Sequence, residues 1–138
     1  GMTALSACRK KFYENGNLRT EYYEDKNNEM LFERNRYENG FLKNELSFTI
    51  ENKYEKYYDN EGNLDGIITY WYDNMQIRSQ MKYVEGELKR GTHQEFFYNG
   101  KISKKIVIFN TSGTVTLYNI QGKKIDKYKC DLRGFRLN

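Results

Sequence analysis

Few side chains in this sequence of 138 residues are suited to acid–base or nucleophilic chemistry. The single histidine, His93, stands in the segment Gly-Thr-His-Gln-Glu, where Glu95 would share its face of a strand. A general base needs a positioned partner and a group to activate, and no spacing in the sequence supplies a nucleophile. We therefore expect His93 to be a partly exposed sheet residue and the protein not to be an enzyme.

Two cysteines exclude a disulfide scaffold and a zinc site built from cysteine ligands. For Cys130, which follows Lys129, a buried and unreactive thiol is a simpler interpretation than a reactive one. The sequence contains no phosphate-binding glycine loop, calcium-binding loop or nucleophile elbow. It therefore predicts no catalytic residue, no cofactor and no metal site.

Residues 1–11 precede the repeats and have a different character. Gly1 before Met2 resembles a remnant of cloning. Residues 5–8, Leu-Ser-Ala-Cys, resemble a bacterial lipobox in which Cys8 would be lipidated, although residues 2–4 do not supply the charged and apolar regions of a signal peptide. Two localisations remain open: the cytoplasm, or the cell envelope with Cys8 as the lipid attachment site.

A short motif recurs along the chain. Tyr-Glu-Asn-Gly at residues 13–16 returns at 37–40, as Tyr-Asp-Asn-Met at 72–75 and as Phe-Tyr-Asn-Gly at 97–100, while residues 58–62 carry it with one insertion. Asn-Gly between alternating segments is a strong hairpin signal, and we expect type I′ turns, in which both central residues have positive φ. The turns recur about every 12 residues, which leaves strands of about eight residues.

Between the turns, apolar and polar residues alternate with period two, as in residues 77–83. A two-layer sandwich would need continuous apolar faces, whereas several segments contain few aliphatic residues and tyrosine supplies flat surface instead. The sequence therefore predicts an all-β fold, an elongated antiparallel meander of β-hairpins that forms a largely single-layer, twisted sheet. This domain spans residues 12–138, with clear repeats over 12–105 and degenerate ones over 106–138.

The motif Tyr-x-Asn-Gly-x-Leu alternates with glycine-rich segments at residues 62–66 and 86–91, and together they resemble the bacterial variant of the MORN repeat. Such repeats build the YwqK family of antitoxins from toxin–antitoxin systems, and MORN-repeat lipoproteins. The resemblance covers residues 12–105. It departs from the family pattern at Met75, which occupies a glycine position, and at the inserted Glu61. It implies a hairpin-repeat fold and a non-catalytic role in binding another protein, such as a toxin.

Clustered aromatic residues are the candidates for partner binding. They are Tyr70, Trp71, Tyr72, Phe96, Phe97 and Tyr98. Neighbours in a strand face opposite sides of a sheet, and a single layer leaves at least one face uncovered. Exposed aromatic rings on such a face form a natural protein interface. The alternative is that all of these rings only brace the sheet.

Positive charge is concentrated towards the C-terminal end. Residues 99–138 have a net charge of +7, whereas residues 1–98 have a net charge of −3. The candidate basic surface consists of Lys123, Lys124, Lys127 and Lys129. It would contact an anionic membrane surface or an acidic protein, or it would protect an open sheet edge from aggregation. Nucleic-acid binding is disfavoured because the aromatic-rich middle of the chain is acidic. An open edge also permits homodimers by strand pairing.

Overall fold

The computed structural model describes the backbone of residues 5–138 and the side chains of residues 7–138. All regular structure in this range is β-strand, and twelve antiparallel strands form one open sheet. The strands are β1 (Leu5–Phe12), β2 (Leu18–Asp25), β3 (Met30–Arg36), β4 (Leu42–Phe48), β5 (Lys53–Tyr57), β6 (Gly66–Trp71), β7 (Ile77–Val84), β8 (Glu87–Leu88), β9 (Gly91–Phe96), β10 (Ile102–Ile108), β11 (Gly113–Tyr118) and β12 (Lys124–Cys130).

The strands follow one another across the sheet in sequence order, except that the short β8 pairs only with β7 and β9 takes the next place. The predicted all-β meander of hairpins is confirmed. β1 begins at Leu5, within the segment of residues 1–11 that the sequence separates from the repeats, and it pairs with β2. The suggested cloning remnant at Gly1 lies outside the described residues.

Eight connections share one backbone geometry. They span residues 13–17, 25–29, 37–41, 59–63, 72–76, 97–101, 119–123 and 131–135. In each, the first residue donates its N–H to the carbonyl of the fifth, the fourth donates to the carbonyl of the first, and the fourth has positive φ. This is a type I turn followed by a left-handed residue that forms a bulge. The same geometry therefore extends beyond residue 105 into the degenerate region.

The predicted type I′ geometry of the Asn-Gly turns is wrong. In the first turn only Gly16 has positive φ, at 89°. Asn15 uses its side chain instead, because its Oδ1 accepts the N–H of Asn17 at 2.9 Å. Positive φ at both central residues does occur at Glu85 and Gly86, with φ of 51° and 84°, where β7 turns directly into β8.

Tyrosine hydroxyls join three of these turns to the equivalent turn of the next hairpin. Tyr13 donates its hydroxyl hydrogen to the carbonyl of Arg36 at 2.6 Å, and Tyr37 donates to the carbonyl of Tyr58 at 2.7 Å. Each acceptor residue lies directly before the next turn, Arg36 before residues 37–41 and Tyr58 before residues 59–63. At the opposite ends of the strands, Tyr72 makes the corresponding bond, to the carbonyl of Phe96. The tyrosine of the repeat thus ties one hairpin to its neighbour.

Asparagine side-chain amides add further bonds between the turns at residues 13–17, 37–41 and 59–63. The Nδ2 atoms of Asn15 and Asn17 both donate to the carbonyl of Glu38, at 3.1 and 2.8 Å. One repeat further on, Nδ2 of Asn39 donates to the carbonyl of Asn60 at 2.8 Å. Carbonyl groups that the turns leave unpaired are in this way bonded by the preceding repeat.

The two faces of the sheet differ in composition. We call the face that carries Ile106, Val115 and Cys130 the inner face, and the opposite face the outer face. Together with Leu88 and Ile108, these three residues form one cluster of buried hydrophobic side chains, the core. The core therefore lies under β8 to β12, and the N-terminal half of the sheet extends beyond it.

The C-terminal residues close this core. After β12, the turn at residues 131–135 brings Leu132 to β8, where the N–H of Leu88 donates to the Leu132 carbonyl at 2.7 Å. The Leu132 side chain packs against the core. Cys130 is fully buried beneath it, and this burial raises the pKa of the thiol. The predicted burial of Cys130 is confirmed, and the raised pKa favours the neutral thiol over the nucleophilic thiolate.

The left-handed position of the turns gives a first prediction. Six of the eight turns have glycine there, but the turn at residues 72–76 has Met75 at φ 70°. A residue with a Cβ pays about 1–2 kcal/mol to adopt a left-handed backbone conformation. Glycine avoids this cost, but it loses more backbone entropy on folding, which offsets about 0.5–1 kcal/mol of the gain. We expect Met75→Gly to raise the free energy of unfolding, measured by urea denaturation, by about 0.5–1 kcal/mol.

Gly100 supplies the control for this prediction. A Cβ at Gly100 would have no atom closer than Oε1 of Gln76 at 4.0 Å, so Gly100→Ala changes the backbone preference and little else. It should lower the free energy of unfolding by about 1 kcal/mol. Equal stability of Met75→Gly and the natural protein would show that Met75 is not strained.

Candidate functional site

The six aromatic residues proposed as one partner-binding surface are divided between the two faces. Tyr70 lies on the inner face, in register with Tyr54 and Ser79. Trp71 lies on the outer face, in register with Lys53. The alternation of side chains along β6 causes this separation. A single contact surface that includes both Tyr70 and Trp71 is therefore not present.

Four of the six residues do come together. Tyr70, Tyr72, Phe96 and Phe97 line an open depression of about 590 Å³ where β6 and β9 end and β7 begins. Tyr98 stands at its rim, 55% exposed, with its ring edge-on to that of Tyr72 and the centroids 5.3 Å apart. This depression is an aromatic site of the inner face.

Charged groups on the inner face of the N-terminal half are paired with one another. Glu45 accepts hydrogen bonds from Nε of Arg34 at 2.8 Å and from the hydroxyl of Tyr54. Burial raises the pKa of Glu45, but these two bonds outweigh it and hold the pKa below its ordinary value. Burial and the bond to Glu45 raise the pKa of Tyr54. Nearby, the hydroxyl of Tyr23 donates to Glu21 at 2.7 Å, which raises the pKa of Tyr23 to about 12.

Cations of the chain itself cover the rings of this face. The guanidinium carbon of Arg34 lies 4.2 Å from the centroid of the Phe32 ring. The ammonium nitrogen of Lys56 lies 4.7 Å from the ring of Tyr54 and 5.4 Å from that of Tyr70. These rings therefore brace the sheet through cation–π contacts.

The second aromatic site is on the outer face. Trp71 and Tyr57 line a trough of about 540 Å³ across β5, β6 and β7. The Trp71 ring packs on Phe48 with centroids 5.7 Å apart. Thr69, 3% exposed, lies deep in the trough, and its hydroxyl accepts a hydrogen bond from Nε2 of Gln80 at 3.2 Å.

Two carboxylates, of Glu55 and Asp65, also line the trough. Glu55 accepts the hydroxyl hydrogen of Tyr57 at 3.3 Å, and among the described residues neither carboxylate belongs to an ion pair. Lys53, opposite Trp71, directs its ammonium to two carbonyls of the β4–β5 turn, at 2.9 and 3.2 Å. The trough thus combines an aromatic wall with negative charge that the described part of the chain does not neutralise.

Sequence reasoning found Trp71 but missed the residues around it. Glu55 and Tyr57 are two positions apart in one strand, which places them on the same face. That signal was available in the sequence. The contribution of Gln80 depends on the register between β6 and β7, which the motif alone does not give.

His93 is a structural residue of a strand break. It was expected to be partly exposed, and this is wrong: the residue is only 4% exposed. Its Nδ1 accepts the backbone N–H of Lys82 at 3.1 Å, and its Nε2 lies 2.7 Å from the carbonyl of Lys89. The chain kinks between β8 and β9, and the imidazole bonds to backbone groups at this break. Both ring nitrogens are thereby engaged.

The remaining candidates lie at the sheet edges. Cys8 is exposed on β1, in register with Tyr23. The four proposed basic residues, Lys123, Lys124, Lys127 and Lys129, are all exposed on β12 and the turn before it. β1 also carries exposed basic side chains, those of Arg9, Lys10 and Lys11. Like charges on both edges oppose the pairing of one copy with another.

Within residues 5–138, no group of three or more His, Cys, Asp or Glu side chains is arranged to hold a metal ion. Among the same residues, no helix has the length and apolar character needed to cross a membrane. Comparison of the chain with protein-family models and with curated proteins finds no match.

The inner-face network predicts the effect of Tyr54→Phe. Loss of the hydroxyl leaves the Glu45 carboxylate, 13% exposed, without one of its two hydrogen bonds. Urea denaturation at neutral pH should show a free energy of unfolding lower by about 1.5–3 kcal/mol, the range for a hydrogen bond to a charged group. Tyr98→Phe, at an exposed ring, should stay within about 0.5 kcal/mol of the natural protein. Equal effects of the two changes would contradict this assignment.

The same pair fixes a pH dependence. Folding raises the pKa of Tyr54 above 10.0, so its stabilisation is complete below that pH and is lost as the pH rises further. Folding lowers the pKa of Glu45 below 4.5, so that stabilisation is complete above that pH and is lost as the pH falls. Tyr54→Phe should therefore reduce the loss of stability at both ends of the pH profile.

The two hydrogen bonds of His93 predict the tautomer of its ring and its contribution to stability. A backbone N–H only donates and a carbonyl only accepts, so the imidazole must be neutral with its hydrogen on Nε2, which nitrogen-15 NMR of the ring detects. His93→Leu removes the imidazole partner of the Lys82 N–H and of the Lys89 carbonyl and should lower the free energy of unfolding by about 1–3 kcal/mol. Thr92→Ala, at an exposed neighbour, should change it little. A ring with its hydrogen on Nδ1 would rule out the described bonds.

Proposed function

We propose that the chain is a non-catalytic protein-binding module built from MORN-like hairpin repeats, and that its partner is another protein. The observation that carries this proposal is the open outer-face trough beside Trp71. Tryptophan and tyrosine dominate the energetic centres of protein interfaces. Ile67, 46% exposed, lines the same trough and adds apolar contact area.

The repeats support this function by making the surface rigid. Tyr37 and Tyr72 bond to the hairpins that follow them, so the strands that carry Tyr57 and Trp71 are held in place before a partner arrives. A preorganised surface loses little conformational entropy on binding. The role of an antitoxin, with a toxin as the partner, is supported by the resemblance of the repeat motif to YwqK antitoxins.

Separate substitutions on the two aromatic sites test the proposal. The full-length protein is used to capture partners from the cells that produce it, and the recovered proteins are quantified by mass spectrometry. Trp71→Ala should reduce recovery of the specific partner about thirtyfold, which corresponds to the loss of about 2 kcal/mol typical of an interface centre. Phe97→Ala, which alters the inner-face depression, should leave recovery unchanged.

Urea denaturation of both variants establishes that they remain folded. Loss of the partner with Phe97→Ala alone would move the interface to the inner face. Undiminished recovery with Trp71→Ala would refute the proposed surface.

A further inference from the structure

We infer that the outer-face trough binds an arginine side chain of the partner protein. This inference rests on the proposed protein-binding function and adds the chemistry of the contact. The trough offers the face of an aromatic wall from Trp71 and Tyr57, and carboxylates from Glu55 and Asp65.

Arg34 on the inner face shows the arrangement that the trough would complete. Its guanidinium carbon lies 4.2 Å from the Phe32 ring, and its Nε donates to a carboxylate oxygen of Glu45 at 2.8 Å. Ring, guanidinium and carboxylate thus form one unit within the sheet. On the outer face, Trp71 and Glu55 supply the ring and the carboxylate, and the described residues supply no guanidinium.

Cation–π contacts elsewhere in the sheet strengthen the comparison. The rings with a cation of the chain nearby are those of Tyr13, Tyr22, Phe32, Tyr37, Tyr54, Tyr70 and Tyr128. Tryptophan attracts cations more strongly than tyrosine or phenylalanine. Trp71 nevertheless has no such contact within the described residues, because the ammonium of Lys53, the nearest candidate in register, is bonded to the β4–β5 turn.

The charge of the trough selects a cationic occupant. An apolar side chain seated over Glu55 would remove water from the carboxylate without replacing its hydrogen bonds, which is unfavourable. A cation would neutralise it. Gln80 lines the same trough, but its amide is neutral and cannot balance the charge of the carboxylate.

Arginine fits the trough better than lysine for geometric reasons. Its planar guanidinium stacks on an aromatic face and at the same time donates through its edge to a carboxylate. The compact, strongly hydrated ammonium of lysine does not make both contacts through one plane.

The experiment uses the intrinsic fluorescence of Trp71, which is the single tryptophan of the sequence. The probe is the blocked peptide acetyl-Gly-Gly-Arg-Gly-Gly-amide, and the matched probe has citrulline in place of arginine. Citrulline keeps the planar shape and removes the charge. We expect the arginine peptide to change the fluorescence with saturation at millimolar concentration, as suits one side-chain contact, and the citrulline peptide to bind at least fivefold more weakly.

Two variants with the same change of charge separate the trough from the rest of the surface. Glu55→Gln should weaken binding of the arginine peptide at least fivefold and leave binding of the citrulline peptide unchanged. Glu14→Gln, at an exposed position in the first turn, should have no effect. Equal affinity for the two peptides, no saturable change with either, or insensitivity to Glu55→Gln would each overturn the inference.

These outcomes are distinguishable from failure of the proposed function. A partner whose capture depends on Trp71 but not on Glu55, together with equal binding of the two peptides, would leave the protein-binding surface in place and remove arginine as its occupant. Selective binding of the arginine peptide, with partner capture independent of Trp71, would show that the trough binds arginine and would refute it as the surface that captures the partner.

Discussion

The hydrogen bond from the motif tyrosine to the next hairpin is the interaction on which the N-terminal half of the structure depends. A single-layer sheet has no second layer to bury its strands, and an isolated hairpin is only marginally stable in water. Tyr13 and Tyr37 each bond to the backbone of the following repeat, and the asparagine amides beside them do the same. Stability is thereby shared between neighbours, as in other repeat architectures. In the turns that carry these donors, the left-handed position is occupied by glycine, Gly16 and Gly40.

The inner face shows two ways of covering a sheet without a second layer. Under β8 to β12, the chain folds its own C-terminal residues over a small apolar core through Leu132. Under β2 to β6, it pairs carboxylates with cations and tyrosines, as in Arg34, Glu45 and Tyr54. Every charge in that network gains a partner that replaces water. The outer-face trough is built from similar groups, but the described residues provide neither a cover nor a cation for it.

The sequence was sufficient for the architecture because hairpin signals and strand alternation are local. Turn type was not predictable from Asn-Gly alone, since one positive φ at Gly16 satisfies the turn and the Asn15 side chain bonds to the backbone. His93 was misjudged because the break between β8 and β9 depends on how β7 pairs with both. The six aromatic residues could have been separated by parity. The surroundings of Trp71 required the register of three strands.

The trough remains open because of a contact made at the end of a neighbouring strand. Lys53 stands opposite Trp71 on the outer face, where a lysine side chain has the reach to cover the indole. Its ammonium is instead held by the carbonyls of Thr49 and Ile50, whose turn connects β4 to β5. These bonds satisfy the charge of Lys53 and keep it away from the ring. By binding the Lys53 ammonium, the β4–β5 turn therefore leaves the Trp71 ring without a cation from the described residues.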